Sequence, residues 1–212
     1  MQGAEALKFK DAYPILFDRK SKTGIDKQYF YQDVWAFEKI YNSKPQVHVD
    51  VGSSVKWVSL LTVISKVQFI DIRPLEAPYL KNIECIKGSI LEMPYPDNSV
   101  KSVSCLNVAE HIGLGRYGDP IDPLGTKKAA AELTRCLAPG GNLFFSLPVG
   151  KPCVCFNAHR VHDPETILQY FEGLQLVEFS CSDDDKKFTV NADMQVAKNA
   201  DFACGMFWFT KK

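Results

Sequence analysis

From residue 47 to residue 148 the chain keeps alternating short apolar runs with stretches of helical spacing, and this alternation limits the fold more than any other feature. Residues 47–51, 67–72, 83–86, 100–108 and 142–148 read as strands, with helices over 54–65 and 126–137. Strands separated by helices need crossover connections, so the expected architecture is α/β, a mostly parallel sheet with helices on both faces. Upstream, Phe30, Val34, Phe37 and Tyr41 recur at helical spacing within 26–41, and Pro45 then releases the chain into the first strand. The segment before Gly24 is expected to lie as an arm over the domain. Residues 1–45 are thus read as arm and helix packed on a core built from 46–212, together one domain. After Pro164 a short helix over 165–171 leads to a strand at 174–180. The chain closes with a strand over 202–210, and these last two are expected to pair as an antiparallel hairpin.

Charge narrows the partners. Lys plus Arg and Asp plus Glu number 25 each, so no long-range field favours nucleic acid or an acidic membrane. No stretch is apolar enough for a signal peptide or a bilayer span, and the expected location is cytoplasmic. The seven cysteines are odd in number and scattered, several inside apolar runs, as reduced core residues are. The cluster Cys153-Val-Cys155-Phe-Asn-Ala-His159-Arg-Val-His162 holds two thiols and two imidazoles. Its spacing is too compact for a zinc finger, and it is read as strand cysteines followed by a polar loop, with no metal site.

In a parallel sheet a ligand binds beyond the carboxyl ends of the strands, where strand order reverses. Here that point is Asp50-Val51-Gly52-Ser53-Ser54. Gly52 permits a tight turn, Ser53 or Ser54 is placed to cap the next helix, and the free N–H groups of that helix attract an anion such as a carboxylate. About 20 residues on, Asp71 ends the second strand beside Ile72, where an acid accepts both hydroxyls of a ribose. A nicotinamide dinucleotide enzyme shares that acid but needs G-x-G-x-x-G at the turn, and only one glycine is present.

The segments Met93-Pro-Tyr-Pro-Asp-Asn-Ser-Val100, Cys105-Leu-Asn-Val-Ala-Glu-His111 and Glu132-Leu-Thr-Arg-Cys-Leu-Ala-Pro-Gly-Gly-Asn-Leu-Phe-Phe-Ser-Leu-Pro148 resemble, in order and spacing, those of class I S-adenosylmethionine (SAM) methyltransferases. A narrower resemblance rests on Phe30-Tyr-Gln-Asp33, Glu110-His-Ile-Gly-Leu-Gly-Arg-Tyr-Gly-Asp119, Phe156-Asn-Ala-His-Arg160 and Cys204-Gly-Met-Phe207. It is to a methyltransferase-like family catalogued as a domain of unknown function in nematodes and also found in bacteria. The resemblance implies a Rossmann-like fold, SAM as cofactor, and a small-molecule or glycan-type acceptor. It assigns Asp50, Gly52 and Ser53, with Ser54, to the methionine end of SAM; Asp71 and Ile72 to the ribose; Ser89 and Ile90 to the adenine; Leu106 and Asn107 to the sulfonium region. Three positions depart from the class pattern. Ser53 and Ser54 stand for glycines, Ser89 for the acid after Gly88, and Lys101 for an acid early in the fourth strand.

Methyl transfer from a sulfonium needs an aligned acceptor and, for a hydroxyl, a base. His111 is the first candidate base, with Glu110 or Asp119 to orient it and Arg116 and Tyr117 to grip the acceptor. Asn157, His159 and Arg160 are expected to close the acceptor pocket from the far side, and Tyr31 and Gln32 are placed as a lid or as packing. His48, inside a strand, reads as a satisfied buried residue. Two other functions stay open: a methyltransferase-like binding or scaffold protein without catalysis, and a nucleotide-sugar or dinucleotide enzyme.

Overall fold

The computed structural model describes residues 5–6 and 8–212. Five parallel strands form the first part of the sheet: β1 (Val47–Val51), β2 (Lys66–Asp71), β3 (Ile83–Lys87), β4 (Val100–Leu106) and β5 (Leu137–Val149). Two short strands, β6 (Cys153–Cys155) and β7 (His159–Val161), make a separate antiparallel hairpin. The sheet is completed by β8 (Gln175–Ser182), β9 (Phe188–Thr189) and β10 (Ala203–Thr210), with β10 antiparallel to both β5 and β8. The strand order is β3-β2-β1-β4-β5-β10-β8-β9, so the chain reverses direction across the sheet between β1 and β4. This is the mixed α/β sheet expected from the sequence, including the antiparallel pairing of its last long strands.

Among the described residues five α-helices flank it: α1 (Lys27–Ser43), α2 (Val55–Leu61), α3 (Gly125–Cys136), α4 (Pro164–Tyr170) and α5 (Met194–Asn199). Asp26 starts α1, its Oδ1 accepting from the N–H of Gln28 at 3.1 Å and of Tyr29 at 3.4 Å. Lys44 ends it in the left-handed region, at φ 47°. One face of the sheet is covered by Trp35, Ala36 and Ile40 of α1 and Trp57, Val58 and Leu61 of α2, packed on Phe69, Leu106 and Phe144. The other is covered by Ala129, Ala130 and Leu133 of α3, Ile167 of α4 and Ala197 of α5, packed on Val49, Ile70, Val103 and Phe145. Each fully buried aromatic or aliphatic side chain here contributes about 1.5–3 kcal/mol.

Three expectations are corrected. The described part of the arm does not lie on the domain: Phe9, Tyr13, Leu16 and Phe17 are exposed, and the packed N-terminal segment begins with α1. Ala138-Pro-Gly-Gly141, left between the helix expected over 126–137 and the strand expected over 142–148, is not a turn but the irregular start of β5. There Val100 pairs with Leu137 and Ser102 with Asn142, and the extra residues bulge, Gly140 taking φ +72°. Ser54 occupies the N-cap of α2 but makes no side-chain cap bond, and the hydroxyl of Ser53 accepts instead from the N–H of Leu106 at 3.1 Å.

A buried polar chain ties β1 to β4. Asp50 Oδ1 accepts from the N–H of Ser53 at 3.1 Å, while Oδ2 accepts from Trp57 Nε1 at 3.3 Å and from the hydroxyl of Ser104. Since the Ser104 proton goes to Asp50, Ser104 Oγ accepts from His48 Nε2, at 2.8 Å, and His48 Nδ1 accepts from Ser102 Oγ, also at 2.8 Å. His48 is thus a satisfied buried residue, and burial pushes its pKa down to about 3. The unfolded chain takes up this proton near the ordinary 6.5, the folded chain only near 3, so stability falls as pH drops through that window. His162, held down to about 4 by burial and then by Arg160, acts in the same direction. His48→Gln should therefore flatten part of the loss: between pH 6.5 and 4 its urea-derived stability should fall less than that of the wild type by roughly 3 kcal/mol. An unchanged slope would refute the assignment.

Candidate functional site

Parallel strands end together, and the reversal between β1 and β4 leaves a gap at their carboxyl ends. Gly52 and Asn107 stand at the two lips of this gap, both with positive φ, 67° and 53°. A Cβ on Gly52 would come within 3.1 Å of Val108 Cγ1 and 3.9 Å of Asp71 Oδ2, so the glycine leaves room between β1 and the chain after β4. Asn107 is anchored by its own N–H, which donates to Ser146 O at 2.9 Å.

Two cavities open from this gap. The first, a cleft of about 110 Å³, brings together Gly52, Asp71, Ile72, Ser89, Ile90, Asn107, His111, Tyr117 and Asp119 of the expected site residues. Asp71 Oδ1 accepts from the N–H of Arg73 at 2.7 Å, while Oδ2 faces Gly52. Ser89 Oγ accepts from the N–H of Leu91 at 3.1 Å, and Ile70, Ile72, Ile90 and Leu91 supply apolar walls. The guanidinium carbon of Arg73 sits 4.6 Å from the centre of the Tyr117 ring, and this contact narrows the cleft.

The second cavity, about 390 Å³, shares Asn107, His111 and Tyr117 with the first and adds Glu110, Arg116 and His159. Its remaining walls were not legible in the sequence: Asp26 and Tyr29 from the start of α1, and Phe202 and Cys204 from the start of β10. The helix expected at 26–41 is present, and of the two roles open to Tyr31 and Gln32 the structure takes packing. Tyr31 stacks on Phe188 with ring centres 5.2 Å apart, and Gln32 is buried against Ser146, whose hydroxyl it accepts at 2.7 Å. Gln28 ties α1 to β10 through a hydrogen bond to Phe202 O at 3.2 Å.

His111 is fixed by the hairpin. Ala158 O lies 2.6 Å from Nδ1, and because a carbonyl only accepts, the proton is on Nδ1 and the lone pair on Nε2. Arg116 donates to the same carbonyl at 3.0 Å. Burial, helped by Arg116 and His159, lowers the His111 pKa, leaving the ring neutral at pH 7. Nε2 lies 3.6 Å from Glu110 Oε1. Glu110 is only 2% exposed, and burial pushes its pKa up to about 8. Two oxygens here have no hydrogen-bond partner among the described residues: Glu110 Oε2 and Asn107 Oδ1.

Other expected site residues lie outside both cavities. Asp50 is fully buried, with both oxygens committed to Ser53, Trp57 and Ser104, and burial raises its pKa to about 6. Ser53 and Leu106 are buried in the same layer, and Ser54 is exposed. Arg160 turns inward, donating to Ile112 O at 2.5 Å and Asp122 O at 3.0 Å, and so braces the loop between β4 and α3. Asp119 lines the cleft but also knots that loop, accepting from the N–H of Gly113 at 2.6 Å. Asn157 is exposed at the hairpin turn. Cys153 and Cys155 are exposed, their sulfurs 3.9 Å apart, while His159 packs against Phe202 and His162 contacts Thr126 at 3.2 Å. Among the described residues no three His, Cys, Asp or Glu side chains group as metal ligands, and no helix is long and apolar enough to cross a membrane.

The arrangement agrees with solved structures of low sequence identity. The N-methyltransferase NodS from Bradyrhizobium japonicum WM9 in complex with S-adenosyl-L-homocysteine (SAH) superposes with a TM-score of 0.58 at 14% identity, over 86% of each chain. A second structure of the same enzyme gives 0.60 at 15% identity, over 88% of this chain and 97% of that one. A TehB-like SAM-dependent methyltransferase from Corynebacterium glutamicum gives 0.55 at 16%, over 85% and 88%. No curated protein matches the sequence significantly. A family model does, over residues 51–205, which hold both lips of the gap and most of the two cavities. The chain has the Rossmann-like fold of class I SAM methyltransferases and belongs to the family described as Caenorhabditis protein of unknown function, DUF268.

Proposed function

We propose that the protein is a SAM-dependent methyltransferase acting on a small-molecule acceptor, glycan-type acceptors included. The observation that carries this reading is the pair of cavities meeting at Asn107, His111 and Tyr117, at the strand ends where this fold binds its ligands. The cleft fits a nucleoside: Asp71 Oδ2 is left to accept ribose hydroxyls, and the apolar walls around Ile70 and Ile90 suit a flat base. At about 110 Å³ the cleft is below the roughly 300–1,000 Å³ usual for ligand sites, so Arg73 and Tyr117 must separate for the cofactor to seat. When bound, SAM supplies a methyl group on a positively charged sulfur. Asn107 and Tyr117 sit where the two cavities meet and position the acceptor against that methyl group. His111 Nε2, unprotonated at neutral pH, is the base for a proton shed by the acceptor, and Ala158 O keeps the ring in that tautomer.

A serine-bearing turn whose acid is used up in the core also suits a binding protein that has lost catalysis, and calorimetry separates the two readings. SAH should bind the wild type, and absence of binding by both SAM and SAH would overturn the enzyme reading. Asp71→Ala should weaken SAH about tenfold or more, through loss of its hydrogen bonds to the ribose, while leaving thermal stability without ligand unchanged. Equal affinity would refute the assigned cleft. His111→Ala should cut turnover roughly 10²–10⁴-fold with SAH affinity nearly constant. Comparable loss of both would make His111 a brace for the hairpin instead.

A further inference from the structure

Glu110 Oε2 and Asn107 Oδ1 are buried acceptors without a partner among the described residues, and both residues line the second cavity. A buried acceptor left unpaired costs about 1–3 kcal/mol, so a native site that keeps two of them is shaped for donors brought by a ligand. The neighbouring lone pair on His111 Nε2, 3.6 Å from Glu110 Oε1, makes a third acceptor on the same wall. A hydroxyl has one hydrogen and satisfies one of these groups; an amine has two, and its ammonium form three. The other ionisable groups facing the cavity are Asp26, Tyr29, Arg116, His159 and Cys204. Of these, Arg116 already donates to Ala158 O, Asp26 accepts from the first turn of α1, and the Tyr29 hydroxyl faces the donor side of the Asn107 amide, so none of the three satisfies the orphaned oxygens.

Building on the methyltransferase reading, we propose that the second cavity recognises an acceptor by its amino group, whose N–H bonds go to Asn107 Oδ1 and Glu110 Oε2. A protonated Glu110 still offers one oxygen as an acceptor, and an incoming ammonium draws it to the carboxylate form, which offers both. The acceptor class is therefore an amine, free or carried on a sugar: a bound ammonium passes one proton to the Glu110 carboxylate, the freed lone pair takes the methyl group as the methyl–sulfur bond breaks and SAH leaves, and His111 Nε2 takes the proton that the methylated nitrogen sheds.

The test uses a matched pair of probes, 2-aminoethanol and ethylene glycol, titrated into the full chain by protein-observed NMR with and without SAH. The amine should bind roughly tenfold more tightly than the diol and shift the side-chain amide of Asn107. Glu110→Gln, which replaces an acceptor with an amide donor, should abolish that preference. Asn107→Asp, which adds an acceptor, should strengthen it. Equal or stronger binding of the diol, no shift from either probe, or an unaltered amine preference in Glu110→Gln overturns the proposal. Because SAH binding is read separately, an amine site without SAH binding would discard the methyltransferase reading alone. SAH binding without amine preference would discard only the amine.

Discussion

The pairing of β1 with β4 is the constraint on which the rest of the molecule depends. It places the second half of the sheet beside the first and creates the reversal where the cavities open. Apolar contacts alone fix such a register weakly, because many shifts bury similar area. The buried chain from Ser102 through His48 and Ser104 to Asp50 fixes it chemically, since a one-residue slip would turn these side chains to the opposite face and leave each unpaired. Asp50 also reaches Trp57 and the N–H of Ser53, so the same carboxyl sets where α2 leaves the strand.

Where the two cavities meet, Glu110 and His111 are both driven toward neutrality. Burial raises Glu110 and lowers His111, so near pH 7 an acid keeps its proton beside an imidazole that lacks a second one. Arg116 stands beside the His111 ring, 3.3 Å from Nδ1, and donates to Ala158 O, while Asp26 accepts from the first turn of α1. The interior of the site therefore carries unspent hydrogen-bonding capacity with little net charge, which favours recognition by geometry over long-range attraction. The balanced charge of the whole chain is consistent with that.

Much of this was legible in the sequence because it follows from period and topology. Alternating apolar runs gave the strands, the rule that ligands gather at strand ends pointed to Gly52 and Asp71, the family resemblance added Ser89 and Asn107, and all four meet in one cleft. What was not legible depends on side-chain direction. Asp50 lies two residues before Gly52 but on the buried face of β1, shared with His48. On α1 the lid position is Tyr29 rather than Tyr31, and two residues turn a side chain by about 200° around a helix. Arg160 looked like a pocket residue because it is polar and follows β5, yet the carbonyls of Ile112 and Asp122 claim it. Of the hairpin β6–β7 only the strand with Cys153 and Cys155 was legible; its partner at His159–Val161 reads as loop because three residues are too few to show a period.

The link between Gln28 and Phe202 spans 174 residues of chain. The larger cavity is closed on one side by the first turn of α1 and on the other by the start of β10, so it has no counterpart in any shorter piece of the domain. During synthesis the cleft around Gly52 and Asp71 has all its walls well before the last strand emerges. The larger cavity does not, since Phe202 and Cys204 in its wall come only after the whole of the first cleft in the sequence. The order of translation thus separates two capacities that the finished fold joins.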